Sequence, residues 1–255
     1  MDVNEIVAQL HARLEHDTRV NHHLDRIAVR CDGDVVVLSG EVSTIAAKKL
    51  ALEAVARLEG VDGIVDRLHV MPAEPMGDGA IADHLQRSLM GDTAFGFCEI
   101  RRSTGTSNTA ARSEGPAQYP YIEFRVVDGV VTLDGEVPSL THKRLAGVLA
   151  WWVPGARDVV NGLGVDPPEQ DSDGEILDAL RIVHEKDPFI DPAQIRASCS
   201  NAVVTLEGAV GSDEERAVAE ADAWALFAVD DVINGIQVLT QPPRGARRSL
   251  GGARR

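Results

Sequence analysis

The sequence predicts an α+β protein built from three tandem small αββαβ units, each a short mixed sheet with two helices on one face. The first observation is a strand-like phrase that occurs three times, as "VVVLSGEV", "VVTLDGEV" and "VVTLEGAV", beginning at Val35, Val130 and Val203. The second is that a segment with helical spacing of apolar residues follows each phrase. Recurrence of one pattern along a chain indicates duplication of a structural unit.

A glycine in each phrase gives the three copies a common origin, at Gly40, Gly135 and Gly208. Thirteen residues before this glycine, each copy has an isoleucine: Ile27, Ile122 and Ile195. Twenty-six residues after it, each copy has Asp or Asn: Asp66, Asn161 and Asn234. No gap is needed over these forty positions. The spacing therefore indicates true internal repetition.

The first two strands of each copy are predicted to form a hairpin. Its turn segments are "CDGD", "VDGV" and "CSNA", and Asp-Gly and Asn accept the positive φ angles of tight turns. The register of the turn is predicted to shift by one residue in the first copy. In the second strand, alternating Val and Leu present one face to a core, and the glycine is expected to end the strand where the chain bends toward a helix.

Two helices complete each unit. The helix after the hairpin is predicted to start at Ser43, Ser139 or Ser212, and "SDEE" at Ser212–Glu215 has the pattern of a capping box. Its inward stripe in the first copy is Leu50, Ala51, Ala54, Val55 and Leu58. The helices before the three hairpins are predicted at Val3–His16, Ile81–Met90 and Glu175–Lys186.

These elements divide the chain into unit 1 at residues 1–72, unit 2 at 79–167 and unit 3 at 173–240. Pro, Gly and acidic residues favour linkers at "MPAEPMGDG" and "DPPEQDSDG" between the units. Unit 2 contains an insertion at 98–118, whose small polar residues, Gly and Arg predict a mobile loop. Residues 241–255, "QPPRGARRSLGGARR", are predicted to be a disordered Arg-rich tail.

The repeated unit resembles the BON domain, a family named after bacterial osmotically inducible and nodulation proteins. The resemblance is carried by the glycine-containing strand, by the helix after it and by the closing strands "GVDGIVDRLHV", "GARDVVNGLGV" and "AVDDVINGIQV". It covers nearly the whole chain in three copies. It implies non-catalytic binding modules, most often for phospholipid or envelope surfaces, and a role in stress. A cytosolic relative that binds potassium implies the alternative of a small-ligand sensor.

The net charge is −15, and it is unevenly distributed. Without the five Arg of the tail, residues 1–240 hold 20 basic and 40 acidic residues, a net charge of −20. Such a body repels nucleic acid and anionic lipid at long range, so nucleic acid is an expected partner only through the tail. The first residues, "MDVNEIVAQLHARLEHD", lack the basic and apolar regions of a secretion signal, which predicts a cytoplasmic protein.

The sequence predicts neither an enzyme nor a metal or cofactor protein. The eight His do not recur at equivalent positions of the copies, and the three Cys have no metal-ligand spacing. Nucleophile-elbow, phosphate-loop and dinucleotide-binding patterns are absent from the sequence.

The strongest candidate for an interface is the second helix of unit 2, where "LAGVLAWWV" at Leu145–Val153 contains no charged residue. A helix that is apolar on all sides must be covered on both sides. Position sixteen after the repeat glycine is predicted to face away from the core. This position, the one after it and the uncharged segment give four candidate binding residues: Val148, Trp151, Trp152 and Trp224. Their cover is either a neighbouring unit or protomer, as in a homo-oligomer, or a phospholipid surface or protein partner.

The sequence thus predicts a non-enzymatic, stress-related binding or scaffolding protein with three BON-like units that engages a phospholipid surface or a protein partner. The alternative is a cytoplasmic sensor of potassium or another small ligand, for which the acidic body would suit cations.

Overall fold

The computed structural model describes residues 3–14, 17, 19–21, 25–103 and 120–239. The predicted tail at 241–255 and most of the predicted loop at 98–118 lie outside the described residues. Unit 1 consists of α1 (Val3–Leu14), β1 (Arg26–Asp32), β2 (Val35–Val42), α2 (Ile45–Ala56) and β3 (Gly63–Val70). Unit 2 consists of α3 (Asp78–Gly91), β4 (Glu99–Arg102), β5 (Tyr121–Val127), β6 (Val130–Val137), α4 (Leu140–Trp151), β7 (Asp158–Asn161) and β8 (Gly164–Val165). Unit 3 consists of α5 (Asp173–Lys186), β9 (Ile195–Ser200), β10 (Val203–Val210), α6 (Asp213–Ala225) and β11 (Asp231–Val238).

Each unit has its own mixed sheet, with the repeated phrase as a central strand. β2, β6 and β10 pair antiparallel with the preceding hairpin strand and parallel with the strand that follows the helix. A two-residue turn can join only antiparallel neighbours, whereas a helical crossover returns the chain parallel to the first strand. The predicted α+β class is confirmed, with three small sheets that each carry helices.

The repeat glycine is fixed by a close approach of two backbones. In β6, Gly135 pairs with Ile122 of β5 and has a φ of +126°. A Cβ at this position would lie 2.2 Å from the carbonyl oxygen of Tyr121. The same pairing and positive φ occur at Gly40 and Gly208. The prediction that the glycine ends the strand is wrong, because each strand continues for two residues beyond it.

The hairpin turns occupy the same two positions in all three copies. Both turn residues have positive φ in unit 2, at Asp128 and Gly129, and in unit 3, at Asn201 and Ala202. The predicted one-residue shift in unit 1 is therefore wrong for the loop position. The difference lies in the position of the turn glycine. Gly33 occupies the first turn position in unit 1, with a φ of +64°, whereas Gly129 occupies the second in unit 2.

Side-chain caps begin the second helices. The Oγ atoms of Ser139 and Ser212 accept hydrogen bonds from backbone N–H groups three residues later, at 3.2 and 3.1 Å. In unit 1 the cap is Thr44, whose Oγ1 accepts from Ala47 N at 3.0 Å, so the prediction of Ser43 is wrong by one residue. Thr44 is the residue four positions after the repeat glycine, as are the two serines.

The predicted loop at 98–118 includes a strand. Glu99–Arg102 forms β4, which pairs parallel with β5 at the edge of the second sheet and places Ile100 beside Ile122. Ile100 packs against the apolar core, and this contact stabilises the extended conformation of the short segment.

The units are packed together rather than strung out as separate domains. Units 2 and 3 share one continuous core, which also includes Ala46 of unit 1. The other buried apolar residues of unit 1 form a second core, and Ile45, Leu50 and Trp151 contact both cores. Contacts between units join α2 to α6, α4 to α5 and α6, and β3 to β7. The predicted linkers take part as well, since Glu74 N donates to Pro154 O at 3.1 Å and Leu140 N donates to Glu169 at 2.7 Å.

Candidate functional site at the junction of the three units

The helix α4 lies at the centre of the junction. Its residues 145–150 are all buried, because α3 of its own unit and α5 and α6 of unit 3 pack around it. This confirms the expectation that an uncharged helix is covered on more than one side.

Two of the four candidate binding residues are enclosed by the chain itself. Val148 is 0% exposed and Trp224 is 1% exposed. The cations of Arg19 and Lys49, both from unit 1, lie 5.6 and 5.9 Å from the centre of the Trp224 ring. Position sixteen is predicted to face away from the core of its own unit, and at Trp224 unit 1 packs over α6 and supplies the cover. Val148 and Trp224 are therefore both buried by packing within the chain, which is one of the two kinds of cover that the sequence left open.

The other two candidates are half-buried and have different surroundings. Trp151 packs between the core of unit 1 and the shared core of units 2 and 3. Trp152 reaches α6, where its Nε1 donates a hydrogen bond of 2.9 Å to Oδ1 of Asp222. Trp151 thus connects α4 to unit 1, and Trp152 connects it to unit 3.

Asp222 is a buried carboxyl group at the contact between units 2 and 3. It is 2% exposed, and burial raises its pKa to about 8; nearby Asp187 adds to the increase, while the hydrogen bond from Trp152 opposes it. Buried His184 lies on the neighbouring helix α5, and burial lowers its pKa. Because a charged carboxylate is poorly solvated here, burial favours the protonated form of Asp222.

Replacing Trp152 with Phe is expected to reduce the free energy of unfolding by about 1–2 kcal/mol, because the change leaves a buried acceptor on Asp222 without its donor. Urea unfolding followed by circular dichroism measures this. The matched control is Trp151→Phe, which trims an adjacent, equally half-buried indole that has no such bond to Asp222. Equal losses in the two variants would contradict the role of this hydrogen bond.

Lys48 of α2 is a buried cation that joins units 1 and 2. Its Nζ atom contacts Asp66 on β3 at 2.9 Å and Asp158 on β7 at 2.7 Å, and it donates to Leu68 O at 2.6 Å. These three acceptors match the three N–H donors of an ammonium group. Lys48 therefore fixes two sheets relative to one helix, and its own charge is paired.

The repeat position of Asp66 explains why this ion pair exists in unit 1. In units 2 and 3 the equivalent residues are Asn161 and Asn234, whose amides donate to backbone carbonyls of α4 and α6 at 2.8 and 3.2 Å. In all three units, the side-chain oxygen of this residue also accepts the N–H two residues later. Asp keeps this acceptor role in unit 1, and Lys48 compensates its charge.

A cleft with a volume of 310 Å³ opens at the junction, and all three units line it. Its apolar walls include Ile45, Leu52, Trp151, Val159 and Phe227. Its charged lining consists of three cations and two anions: Lys48, Lys49, Arg144, Asp66 and Asp158. The cleft is small for a ligand site, where volumes of about 300–1,000 Å³ are usual.

Two of these cations reach across to unit 3. Lys49 Nζ donates to the carbonyls of Leu226 and Val229 at 2.7 and 3.0 Å, and burial lowers its pKa to about 8. Arg144 is 0% exposed, pairs through Nη2 with Asp171 at 2.5 Å and stacks on the Phe227 ring at 4.5 Å.

Sequence reasoning selected the tryptophans and missed these cations. Part of the signal was present, because Lys48 and Lys49 interrupt an apolar run on a helix predicted to pack, whereas Arg144 only precedes the uncharged segment of its helix. A cation in such a run indicates a buried, paired charge.

A second feature lies on the outer surface, where three large apolar side chains are exposed. We call them the outer apolar set: Met90 at 66%, Phe97 at 49% and Phe189 at 74% exposure. An ion pair between Lys186 and Asp92, 2.8 Å long, holds the C-terminal ends of α5 and α3 together, and each residue of the set lies two to five positions along the chain from one of these two residues. The set therefore lies close, along the chain, to the ion pair that joins units 2 and 3.

Within the described residues, no three His, Cys, Asp or Glu side chains are grouped as a metal site would require. No helix in this part of the chain has the length and apolar content needed to cross a membrane.

Fold and junction together define a tandem-repeat protein whose small αββαβ modules pack into one body around a central cleft. Three segments of the sequence match the BON domain family: residues 2–72, 109–167 and 172–240. These segments make up most of the sequence, and the chain therefore belongs to the BON domain family.

Among curated proteins, the chain is similar to "Osmotically-inducible protein Y" of Escherichia coli (strain K12). The two are 30% identical over 164 residues, which cover 64% of this chain and 72% of that protein. Among solved structures, the C-terminal domain of CdsD, a structural protein of the type III secretion system of Chlamydia trachomatis, aligns over 94% of this chain and 100% of its own. A second structure of CdsD aligns over 92% of each chain. Both have 14% identity and a TM-score of 0.24, which is too low to add to the description of the fold.

Proposed function

We propose that this chain is a non-enzymatic, stress-related scaffolding protein that docks on a phospholipid surface through the outer apolar set. The similarity to an osmotically inducible protein supports the stress role. The observation that supports this surface is the exposure of Met90, Phe97 and Phe189, which lie close along the chain to the Lys186–Asp92 ion pair between units 2 and 3. Large exposed apolar side chains that lie together are typical of interaction sites.

Insertion of apolar side chains, rather than charge attraction, drives this docking. Transfer of a Phe or Met side chain from water into an apolar medium contributes about 1.5–3 kcal/mol. The body of the chain is strongly acidic, so it gains nothing from an anionic membrane at long range. Binding is therefore expected to favour zwitterionic vesicles over anionic ones and to persist at high salt, where charge repulsion is screened.

Co-sedimentation with phosphatidylcholine vesicles tests the proposal. The double variant Phe97→Ser/Phe189→Ser is expected to weaken binding at least tenfold, because each removed ring contributes about 1.5–3 kcal/mol. The matched control is Val127→Ser/Ile233→Ser, which removes two apolar side chains that are 50% and 55% exposed on strands elsewhere.

Equal binding by the wild type and both double variants would contradict the assignment of this surface. Failure of the wild-type protein to bind any vesicle would overturn the phospholipid proposal and favour a protein partner.

The sensor of potassium or another cation, predicted as the alternative, has a separate test. Binding to the folded state raises the thermal midpoint with ligand concentration. A midpoint that does not change across potassium and calcium series at constant ionic strength would count against this function.

A further inference from the structure

The hairpin edge of unit 2 is covered by the short strand β4. This strand pairs parallel with β5, with Ile100 beside Ile122 and Arg102 beside Phe124. It is also held to the helix α3, because Arg102 forms an ion pair of 2.6 Å with Asp83. Under this cover, Ile122 and Phe124 are 0% and 1% exposed. Unit 2 therefore shows what the same edge of another unit can accept.

The same edge of unit 3 is open within the described residues. The sheet ends there at β9, which pairs with β10. Ile195 and Ala197 have the places of Ile122 and Phe124 in the repeat, but both are only half-buried. A sheet edge presents backbone N–H and C=O groups to any strand that can reach it.

A groove of about 480 Å³ lies between α5 and this edge. One face of α5 lines one side of the groove, and β9 with the turn before it lines the other. Leu177, Ile195 and Ala197 contribute apolar surface, and exposed Asp178 contributes a carboxylate. In unit 2, β4 contacts both α3 and β5 at the corresponding place. The groove is therefore the space that a strand like β4 fills.

The register of the first helices gives Asp178 the place of Asp83. Asp78 and Asp173 lie at the starts of α3 and α5, and each carboxylate accepts two backbone N–H groups from the hairpin turn of its own unit. Five residues after each of them lie Asp83 and Asp178. The groove of unit 3 thus keeps the carboxylate that pairs with Arg102 in unit 2.

Unit 1 also has an open edge, at β1, but it lacks this carboxylate. Ile6 of α1 and Ile81 of α3 are buried, and each is followed by buried leucines four and eight residues later. Two residues after Ile6 lies exposed Ala8, at the place of Asp83. A basic residue on an added strand would have no partner there, which favours unit 3.

The outward side of β9 differs from that of β5 in charge. In unit 2, Arg101 lies beside Glu123, a residue of opposite charge. The residue at the place of Glu123 in unit 3 is Arg196. Opposite charges at adjacent positions of neighbouring strands are favourable, and like charges are unfavourable. A strand that suits unit 3 therefore has an acidic residue where β4 has Arg101.

The backbone of β9 has the acceptors that such a strand needs. In unit 2, Glu99 N donates to Pro120 O at 3.0 Å, and Ser103 N donates to Phe124 O at 2.9 Å. The second of these acceptors corresponds to the carbonyl of Ala197, a residue that lines the groove.

We propose that the open edge of unit 3 binds an extended segment of a protein partner as a fourth strand, parallel to β9. The segment has an apolar residue beside Ile195, an acidic residue beside Arg196, and then Arg beside Ala197, where it pairs with Asp178. Backbone hydrogen bonds provide affinity in strand addition, and alternate side chains provide specificity. The groove shares no residue with the outer apolar set, so this partner is additional to the phospholipid surface.

Fluorescence anisotropy with the full chain and a labelled peptide tests the proposal. The probe is the peptide of residues 98–104 with Cys98→Ser and Arg101→Glu, which gives the order Ile, Glu, Arg. It is expected to bind saturably to one site. Exchanging its apolar and basic residues, Ile100→Arg/Arg102→Ile, keeps composition and charge, and is expected to weaken binding by about tenfold or more, because the apolar side chain no longer enters the groove. No saturable binding by the probe, or equal binding of the two peptides, overturns the proposal.

An exchange of charges locates the contact on the protein. Asp178→Arg is expected to weaken binding of the probe by roughly fivefold or more, because repulsion replaces attraction. The further change Arg102→Glu in the probe is expected to restore binding to this variant. The matched control is Glu214→Arg, which reverses an exposed charge on α6 outside the groove and is expected to leave the affinity unchanged. Failure of the exchanged pair to bind would contradict the position of the strand.

The chain's own residues 241–255 are tested as an occupant in the same assay. Their removal is expected to leave the affinity for the probe unchanged, because they include no acidic residue for the position beside Arg196. A gain of about tenfold or more on their removal would identify them as the resident strand and overturn the proposal of a partner. Vesicle binding by the outer apolar set is measured separately, so either proposal can fail alone.

Discussion

Replacing Gly135 with Ala is expected to destabilise the second unit by about 4 kcal/mol or more, at the upper end of the effects of single substitutions. The added Cβ would lie 2.2 Å from Tyr121 O and 3.1 Å from the carbonyl carbon of the same residue. Both are backbone atoms, so no side chain can move aside. The φ of +126° adds strain for any residue with a Cβ.

Urea unfolding followed by circular dichroism measures this loss, and cleavage by protease at low concentration gives an independent readout. The matched control is Gly79→Ala in α3, where an added Cβ meets no atom within 4 Å. This substitution is expected to be neutral or to stabilise by up to about 1 kcal/mol, because Ala has the higher helix propensity. A loss below about 1 kcal/mol in Gly135→Ala would mean that the two strands separate without cost, contrary to the structure.

Replacing Asp222 with Asn is expected to stabilise the protein at neutral pH by roughly 2–4 kcal/mol. Burial raises the pKa of this carboxyl to about 8 from 3.8. Between these values the folded chain holds a proton that the unfolded chain has released. The contribution of Asp222 to stability is therefore full at acid pH, falls as the pH rises toward about 8, and is constant above it. Asn cannot ionise, and its carbonyl still accepts from Trp152.

Urea unfolding at a series of pH values from 4 to about 9 tests this prediction. The measured quantity is the difference in unfolding free energy between Asp222→Asn and the wild type. Taking the difference reduces the contributions of Asp187, which lies close to Asp222, and of His184, which contacts the carbonyl of Ala219 on the same helix as Asp222. The control Asp178→Asn removes an exposed carboxyl from α5 and is expected to keep the wild-type slope. A difference that does not change with pH would show that Asp222 is ionised in the folded chain.

Both tests rest on features that the sequence reveals to different degrees. The glycine is visible as the common origin of three gapless copies, together with its partner isoleucine thirteen residues earlier. Its physical role is not visible, because it depends on how closely the carbonyl of Tyr121 approaches. Likewise, Thr44 could have been recognised from the repeat register, since it occupies the same place as Ser139 and Ser212.

Asp222 and Trp224 illustrate the opposite case. The sequence of α6, "DEERAVAEADAWA", contains acidic residues on several sides, a composition typical of a solvated helix. In the structure, the C-terminal part of this helix is covered by α2 and α4, which bury Trp224 and leave Asp222 in an apolar contact. No local pattern indicates which part of a helix a distant unit will cover.

By itself, the sequence determined the three units, the order of their helices and strands apart from β4, and the uncharged helix that required cover. It could do so because strand and helix periods of two and 3.6 residues, and the preferences of turn residues, are local properties of the chain. Only the tertiary structure decided that units 2 and 3 share a core and that Lys48, Lys49 and Arg144 meet at one cleft. Those arrangements depend on contacts between residues far apart in the chain, where the fit of whole surfaces and the pairing of buried charges select one way of packing.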